Sequence, residues 1–462
     1  MQKQFILFLF VLAGFPLYAR ETPPTLKELL EQALKKSHKT EIAEQNIALS
    51  GLDVQRLKEA YLPVAEISGQ YGFMAQNGSI RTDATTLYLP DGAHSLPALD
   101  NAFTSRANLV RTGLDIHSLV YSGGKIPAMK KALHEKISAQ KALVEKDRQQ
   151  IVEDELKAYD QLALLDQVKS LLNDSQKRLD IHQNTATKAL EYGLITRYEY
   201  QKLEVARGRL NHQMLSYEGQ RSLLIRQLAP YTGIAPERLE EIHSPLAVVP
   251  LTATTDTPAN RPELLALDHA IQAGKHQVEA AKIWWKPKVM ASASAGYLNL
   301  FDARLQGKTE LPHNLGHNTL YTNSLQLAPD FRVGIGFRWD IFDGFKGKNE
   351  VQKARLEVKI TELEKEEARE QLELNLAKAQ TDLEIAHSEI RSRKTQLAVA
   401  EDALAQASKE FKTGLIKSSD LIDAENDFLS ASLDYQQAVF NQRRTAFALL
   451  KATGSLQPEN IQ

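Results

Sequence analysis

The chain has no cysteine among its 462 residues. That absence removes disulfides, thiolate nucleophiles and Cys-ligated metal sites. It also removes a lipoprotein anchor, whose acceptor would be a cysteine at the first mature position, where Arg20 stands. Net charge is nearly absent: 56 Lys+Arg against 58 Asp+Glu leave −2, so there is no basic field to hold nucleic acid. Beyond the N-terminal segment no apolar run reaches the roughly 18 residues that a spanning helix needs, so any meeting with a membrane is not through a helix. No phosphate-binding glycine loop and no Ser-His-Asp arrangement can be picked out, so no catalytic residue, cofactor or metal is expected. His38, His134 and His212 fall in helical runs as polar surface positions. His313 and His317 lie four apart, but Pro312 and Gly316 argue against the helix that would make them a metal pair.

What is present is helix-forming. Ala, Leu, Glu, Lys and Gln dominate whole stretches, and 25% of residues are charged, a composition of long helices. At the N-terminus, Lys3 precedes the apolar core FILFLFVLAGF, Pro16 breaks it, and Leu17-Tyr18-Ala19 resembles a signal-peptidase site. Residues 1–19 are therefore read as a cleaved export signal.

The sequence repeats itself at an offset of 221. Gly123 falls on Gly344, Gly193-Leu194-Ile195 on Gly414-Leu415-Ile416, Glu199 on Asp420, Glu204 on Glu425, and Thr232-Gly233 on Thr453-Gly454. Further upstream, residues 61–73 parallel 285–297 at an offset of 224. Two structural repeats are expected, 20–232 and 261–454, with a linker at 233–260 and a tail at 455–462.

Each repeat has the same order of parts. A helix opens it (25–60 and 261–286), with a Thr25-x-x-Glu28 capping box in the first and Pro262 in a first turn in the second. Pro63 and Pro287 end these helices. Two strands follow, about 61–75 and 104–121 in the first repeat and 287–300 and 330–343 in the second, separated by exposed loops at 76–103 and 301–328. In FRVGIGFRWDI, Phe331, Val333, Ile335, Phe337, Trp339 and Ile341 take one face, and Arg332, Gly334, Gly336, Arg338 and Asp340 the other. A soluble sheet with one wet face also shows such alternation; the length and the aromatic ends favour the ~9–11 residues of a barrel strand with lipid on one side and a lumen on the other. Long helices follow to the tips at Gly193 and Gly414, with return helices at 197–229 and 419–452. In the second, Leu356, Leu363, Leu372, Leu383, Ile390, Leu397 and Leu404 form a narrow stripe of coiled-coil type. The Pro- and Thr-rich linker reads either as a loose connection or as a small structured patch beside the helices.

Four strands cannot close a barrel, and an open edge in lipid leaves backbone groups unsatisfied. Oligomerisation is therefore expected; two copies give about 8 strands and three about 12, and strand physics does not choose between them.

The export signal, the Cys-free chain, the duplicated helix–strand–strand–long helix–turn–helix order, the Leu-Pro after the first helix and the paired Gly-Leu-Ile tips together resemble the TolC-like outer membrane efflux protein family. The resemblance covers about residues 25–455. It implies a membrane α+β fold: a homotrimer with a 12-stranded β-barrel in the outer membrane, continued by an α-helical coiled-coil tunnel through the periplasm. It also implies an exit duct for efflux or type I secretion, partnered by a periplasmic adaptor, an inner-membrane transporter and outer membrane lipid.

Onto the tips the resemblance carries roles residue by residue. Asp420 and Asp423, three apart on one helix face, become acid rings at the periplasmic entrance, and Glu199 takes part in holding it shut. Related tips carry Arg two residues after the second tip glycine and Tyr three before it; here Ile416 and Phe411 stand there, leaving Lys417 as the cation able to meet Glu199 or Asp420. Gly193, Leu194, Ile195, Gly414, Leu415 and Ile416 form the adaptor-docking tips. Locally, Thr196 with Glu199 reads as a capping box, and Ser418 or Ser419 as the cap of the helix after Gly414. The competing class is an exported periplasmic coiled-coil adaptor or scaffold, which would not need two near-equal halves or four long alternating strands.

Overall fold

A computed structural model describes residues 23–96, 98–250, 257–310 and 317–458. The expected export signal and His313 lie outside the described residues. The chain divides into two compact units. One draws on Met1–Ile47, Ser138–Asp268 and Glu362–Gln462, the other on Ala48–Ile137 and His269–Thr361.

The sheet belongs to the second unit. Helices α1 (Leu26–Lys36) and α2 (His38–Glu59) precede it in sequence. The single opening helix expected over 25–60 is thus two, interrupted at Ser37, whose extended backbone breaks the hydrogen-bond ladder. Strands β1 (Val64–Thr82), β4 (Leu99–Tyr121), β5 (Lys288–Glu310) and β6 (His317–Arg338) form one antiparallel sheet in the order β1-β4-β5-β6. Between β1 and β4 the short strands β2 (Thr85–Leu89) and β3 (Gly92–Leu96) form a hairpin of their own. Most of the stretches expected as loops at 76–103 and 301–328 are therefore strand. Turn-forming residues such as Asn77 and Gly78 are held in the β1–β4 ladder by cross-strand pairing. The second repeat's last strand stops at Arg338, short of the expected 343, and Trp339 turns its indole N–H to the Trp285 carbonyl at 2.7 Å.

Register aligns the faces of all four strands. Phe331 pairs with Ala295, Ala295 with Leu114, and Leu114 with Ile67. Two residues on, Val333, Ala293, Ile116 and Ala65 form the next apolar row. Between these rows, on the opposite face, Arg332, Ser294, Asp115 and Glu66 line up. Directly opposed residues share a face, so the sheet is apolar on one side and polar on the other. The apolar side is uncovered: Ile67, Phe331, Val333, Ile335 and Phe337 are all 71–87% exposed.

The repeat is legible in the backbone. Helices α3 (Lys125–Glu191) and α7 (Lys346–Lys412) have 67 residues each and start 221 apart. The return helices α4 (Arg197–Thr232) and α8 (Ser418–Ala452) also start 221 apart. The glycines that join these parts adopt left-handed φ in matched pairs: Gly123 and Gly344 at 74° and 69°, Gly193 and Gly414 at 70° and 75°, Gly233 and Gly454 at 72° and 78°. Here glycine is needed because a Cβ would be strained.

In the first unit the two hairpins share one core. Leu165, Leu172, Leu179 and Ala186 of α3 meet Leu203, Leu210 and Tyr217 of α4, Leu404 and Phe411 of α7, and Leu421 and Leu429 of α8. The seven-residue spacing on α3 and α4 is that of a coiled-coil seam. The stripe expected on α7 is buried only in part: Leu383 and Leu404 are buried, whereas Leu356 and Leu363 are exposed. Among the described residues no helix is long and apolar enough to cross a membrane.

Residues 233–250 are a packed strap. After α5 (Pro236–Glu240), Leu239 and Ile242 enter a core with Leu29, Leu162 and Ile225. Side chains then hold the backbone. Arg221 donates to the Glu240 carbonyl at 2.8 Å, and Arg443 to the Ala247 carbonyl at 2.9 Å. Gln442, fully buried, accepts from Val249 N–H at 3.0 Å and donates to its carbonyl at 2.7 Å. Beyond the gap at 251–256, helix α6 (Pro262–Lys282) begins the second repeat. Gln442→Leu should free this strap. Losing the paired hydrogen bonds at about 1–3 kcal/mol predicts roughly tenfold faster proteolytic nicking within 243–250. Unchanged nicking would show that the arginines and the apolar contacts hold the strap without Gln442.

Candidate functional site

Both tips close in the same way. In the first, Leu194 N–H reaches the Ala189 carbonyl at 2.7 Å and Gly193 N–H the Leu190 carbonyl at 3.0 Å. In the second, Leu415 N–H reaches the Glu410 carbonyl at 2.9 Å and Gly414 N–H the Phe411 carbonyl at 3.1 Å. These paired bonds, with the left-handed glycine, are Schellman C-caps. They split the Leu-Ile pairs. Leu194 and Leu415 project into solvent, 77% and 76% exposed. Ile195 and Ile416 pack against the shared hairpin core.

The return helices start differently. In α4, Thr196 Oγ1 accepts from Glu199 N–H at 3.2 Å. The carboxylate of Glu199 does not complete a capping box; its Oε2 is buried without a hydrogen-bond partner. In α8 neither Ser418 nor Ser419 is the cap. Lys417 takes that position, and Asp420 Oδ2 accepts from Lys417 N–H at 3.2 Å. Ser418 lies one position too far along, in the first helical turn, and its Oγ is buried without a partner. Asp420 is thus accounted for by the helix start, where the dipole also favours an acid. Asp423, one turn later, is exposed. Among the described residues the Lys417 ammonium makes no salt bridge to Glu199 or Asp420.

A cluster that sequence reasoning did not single out lies behind the second tip. Arg178 of α3 forms a bidentate pair with Glu425 of α8, Nε to the two carboxylate oxygens at 3.0 and 3.2 Å and Nη2 at 3.2 Å. His182 Nε2 stands 3.7 Å from the same carboxylate. Burial by itself would push the Glu425 carboxyl up, but the nearby His182 and the hydrogen bonds and charge of Arg178 hold it below the usual carboxylate range. The sequence signal was slight: Glu425 is the repeat-mate of Glu204, which is exposed. The described residues contain no group of three or more His, Asp or Glu placed to hold a metal ion.

The chain thus carries an antiparallel sheet with an uncovered apolar face and a polar reverse, together with two coiled-coil hairpins. Comparison with known proteins finds similar chains. A family model described as outer membrane efflux protein matches residues 255–455. The outer membrane efflux protein BepC of Brucella suis biovar 1 (strain 1330) is 20% identical over 443 residues, which are 94% of this chain and 87% of BepC. Among solved structures, the outer-membrane channel OprN superposes with a TM-score of 0.69 at 15% identity, covering 94% of this chain and 90% of OprN. The outer membrane protein VceC of Vibrio cholerae gives 0.64 at 18% identity, covering 93% and 96%. Over its second half the chain matches the outer membrane efflux protein model, and over nearly its whole length it is similar to BepC. It shares the fold of outer-membrane channels.

Proposed function

We propose that three copies of this chain close a 12-stranded barrel in the outer membrane, continued by a periplasmic helical tunnel, and that this trimer is the exit duct of a tripartite efflux or type I secretion system. The observation that carries the reading is the sheet: four strands in register, apolar on one uncovered face and polar on the other, with β1 and β6 left as edges. Lipid on the apolar side and a lumen on the polar side satisfy both faces, and pairing of β6 with β1 of the next copy satisfies the edges. A periplasmic adaptor and an inner-membrane transporter complete the system. Leu194 and Leu415, exposed on their Schellman turns at Gly193 and Gly414, are the apolar points offered to the adaptor, with Ile195 and Ile416 as their inward supports.

In this reading Asp420 and Asp423 form acid rings at the periplasmic entrance, with Glu199 and Lys417 beside them. The first test is extraction: detergent should be required, and the extracted protein should run as a heat-modifiable trimer. A freely soluble monomer would leave the coiled-coil adaptor or scaffold as the better reading. In planar bilayers the trimer should conduct. Asp420→Ala with Asp423→Ala should weaken cation selectivity and block by trivalent cations, since each ring loses about three carboxylates from a narrow passage. Selectivity identical to wild type would remove the acid-ring assignment while leaving the duct intact.

A further inference from the structure

The apolar face of the sheet ends in charge. Near the strand ends that lead to α3 and α7, Val289 pairs with Phe337, and Phe301 lies 12 residues further along β5 (301 − 289). At ~3.3 Å per residue and a tilt of about 40°, that is roughly 30 Å of height, close to the ~25 Å apolar band of a barrel. Aromatic side chains stand at both limits. Trp285, Phe337 and Trp339 are exposed at the helical end. Tyr71, Phe73 and Phe301 stand at the other. There the Tyr71 and Phe301 rings lie 6.5 Å apart, and the Tyr71 hydroxyl donates to Asn108 Oδ1 at 3.3 Å. One row beyond Phe301, Arg106 of β4 pairs directly with Arg304 of β5, and Arg304 with Tyr321 of β6.

We propose that Arg106 and Arg304, with Tyr321 beside them, form a phosphate-binding patch on the lipid-facing side of the barrel, and that its ligand is the phosphate of an outer-leaflet lipid headgroup. The proposal rests on the barrel reading for its place in the membrane, although not for its geometry.

Three observations carry it. First, the pairing is repulsive as it stands. Arg106 and Arg304 are both exposed and directly opposed, and like charges opposite one another across two strands destabilise a sheet. A bridging anion reverses the sign, and the guanidinium fork matches phosphate geometry. Second, a bulge puts Arg304 on this face. Asn108 pairs with Phe301 but Arg106 with Arg304, so β5 advances three residues while β4 advances two. Asp302 lies within that step at φ 51°, a left-handed conformation uncommon outside glycine. In unbroken alternation Arg304 would share the polar reverse with Ser294; the bulge re-aims it. Against β1 the ladder is regular, from Asn108–Phe73 to Arg106–Ala75, so Arg106 keeps the face of Asn108. Third, one cation is uncommitted. Among the described residues the Arg106 guanidinium makes no ion pair or hydrogen bond. Arg304 is oriented: it lies 5.4 Å over the Tyr321 ring, and its Nη2 stands 3.6 Å from Asp302 Oδ1, which accepts from the Tyr321 hydroxyl at 3.0 Å. Two guanidiniums against this one carboxylate leave the patch positive. Further out, Arg81 and Asp100 neutralise each other at 3.0 Å.

The test uses the full-length trimer in detergent, with native mass spectrometry reading bound lipid over a titration. The probes are lipid A with its phosphates, the same lipid A with the phosphates removed, and inorganic phosphate as a competitor. The phosphorylated lipid should bind about tenfold more tightly than the dephosphorylated one. Inorganic phosphate at the lipid's own concentration should not displace it. Arg106→Gln with Arg304→Gln should abolish the preference, and Arg106→Lys with Arg304→Lys, which keeps the charge without the fork, should restore part of it. Equal binding of the two lipids by wild type would overturn the patch, because acyl contact alone then accounts for binding. Full displacement by inorganic phosphate would overturn the lipid as its ligand. A heat-modifiable Gln-variant trimer that keeps the preference would overturn these arginines as its source. The wild-type comparison stands even where the Gln variant fails to assemble. A wild-type trimer that conducts in planar bilayers yet shows no preference fails the patch alone. A chain that gives no trimer removes the barrel reading and the patch with it.

Discussion

Arg443→Met is expected to destabilise the protein by about 3–5 kcal/mol at neutral pH, the cost of leaving a buried charge without its partner. Arg443 Nε donates to Asp160 Oδ2 at 2.8 Å, and the two side chains are only 13% and 4% exposed. The same guanidinium holds the Ala247 carbonyl of the strap and lies 5.5 Å over Phe447. Burial already raises the Asp160 carboxyl, and the hydrogen bond and charge of Arg443 oppose that rise. Without Arg443 the opposition is lost and the folded-state value climbs further. The folded chain then holds the proton longer than the unfolded chain, so stability falls as pH rises. The loss should therefore be larger near about pH 8 than near about pH 5, where the orphaned carboxyl takes up a proton. Urea unfolding of the detergent-solubilised protein at both values reads this out. A pH-independent loss would assign the effect to packing on Phe447 instead. Adding Asp160→Leu to Arg443→Met should recover most of the stability, because an apolar pair of similar volume leaves no charge uncompensated.

Glu155→Gln should do the opposite. Glu155 sits on α3, 7% exposed, with its Oε2 lacking a hydrogen-bond partner. Burial, and after it the neighbouring Asp154, raise its pKa from 4.5 to about 7. The folded value lies above the unfolded one. The favourable contribution of this carboxyl is thus full below about 4.5 and is lost as pH climbs through about 7. Above that range the ionised, buried carboxylate costs on the order of 3 kcal/mol, at about 1.4 kcal/mol for each pKa unit. Glu155→Gln should stabilise by about that amount near pH ~8 and by almost nothing near pH ~4. Equal stabilisation at both values would show that Glu155 does not titrate in the folded protein. The internal repeat gives independent support: the mate of Glu155, at 155 + 221, is Leu376, which is buried at 7%. The position is a core position in both halves, and only the second half fills it with an apolar side chain.

Much of the fold was legible in the sequence because its signals are local and repeated. Glycine at left-handed turns, apolar seams at heptad spacing and the alternation through 331–337 each follow from backbone geometry within a few residues, and the duplication at 221 supplied a second reading of nearly every part. Strand lengths were not legible. Asn, Gly and Asp in 76–103 and 301–328 carry turn chemistry, yet cross-strand hydrogen bonding along the ladders overrides that local preference. The break at Ser37 has a local mark, since Ser37 Oγ accepts from Thr40 N–H at 3.3 Å as a cap for α2, but the helix formers on both sides outweigh it in a reading by composition.

At the tips the division is sharper. Sequence alone determined the two glycine turns, the Thr196 cap and the placing of Asp420 in a first turn, all of which depend on residues within one turn of each other. Only the tertiary structure decided that Ile195 and Ile416 face inward while Leu194 and Leu415 stay exposed, that Lys417 contributes its backbone and not its ammonium, and that Glu425 is paired and buried while its repeat-mate Glu204 is exposed. Those outcomes depend on which helix lies against which, and residues 178 and 425 are far apart in sequence. A duplicated sequence constrains its two halves to the same backbone. It does not constrain them to the same neighbours, and in this protein the neighbours set which acids are buried, which are paired and which are left to face solvent.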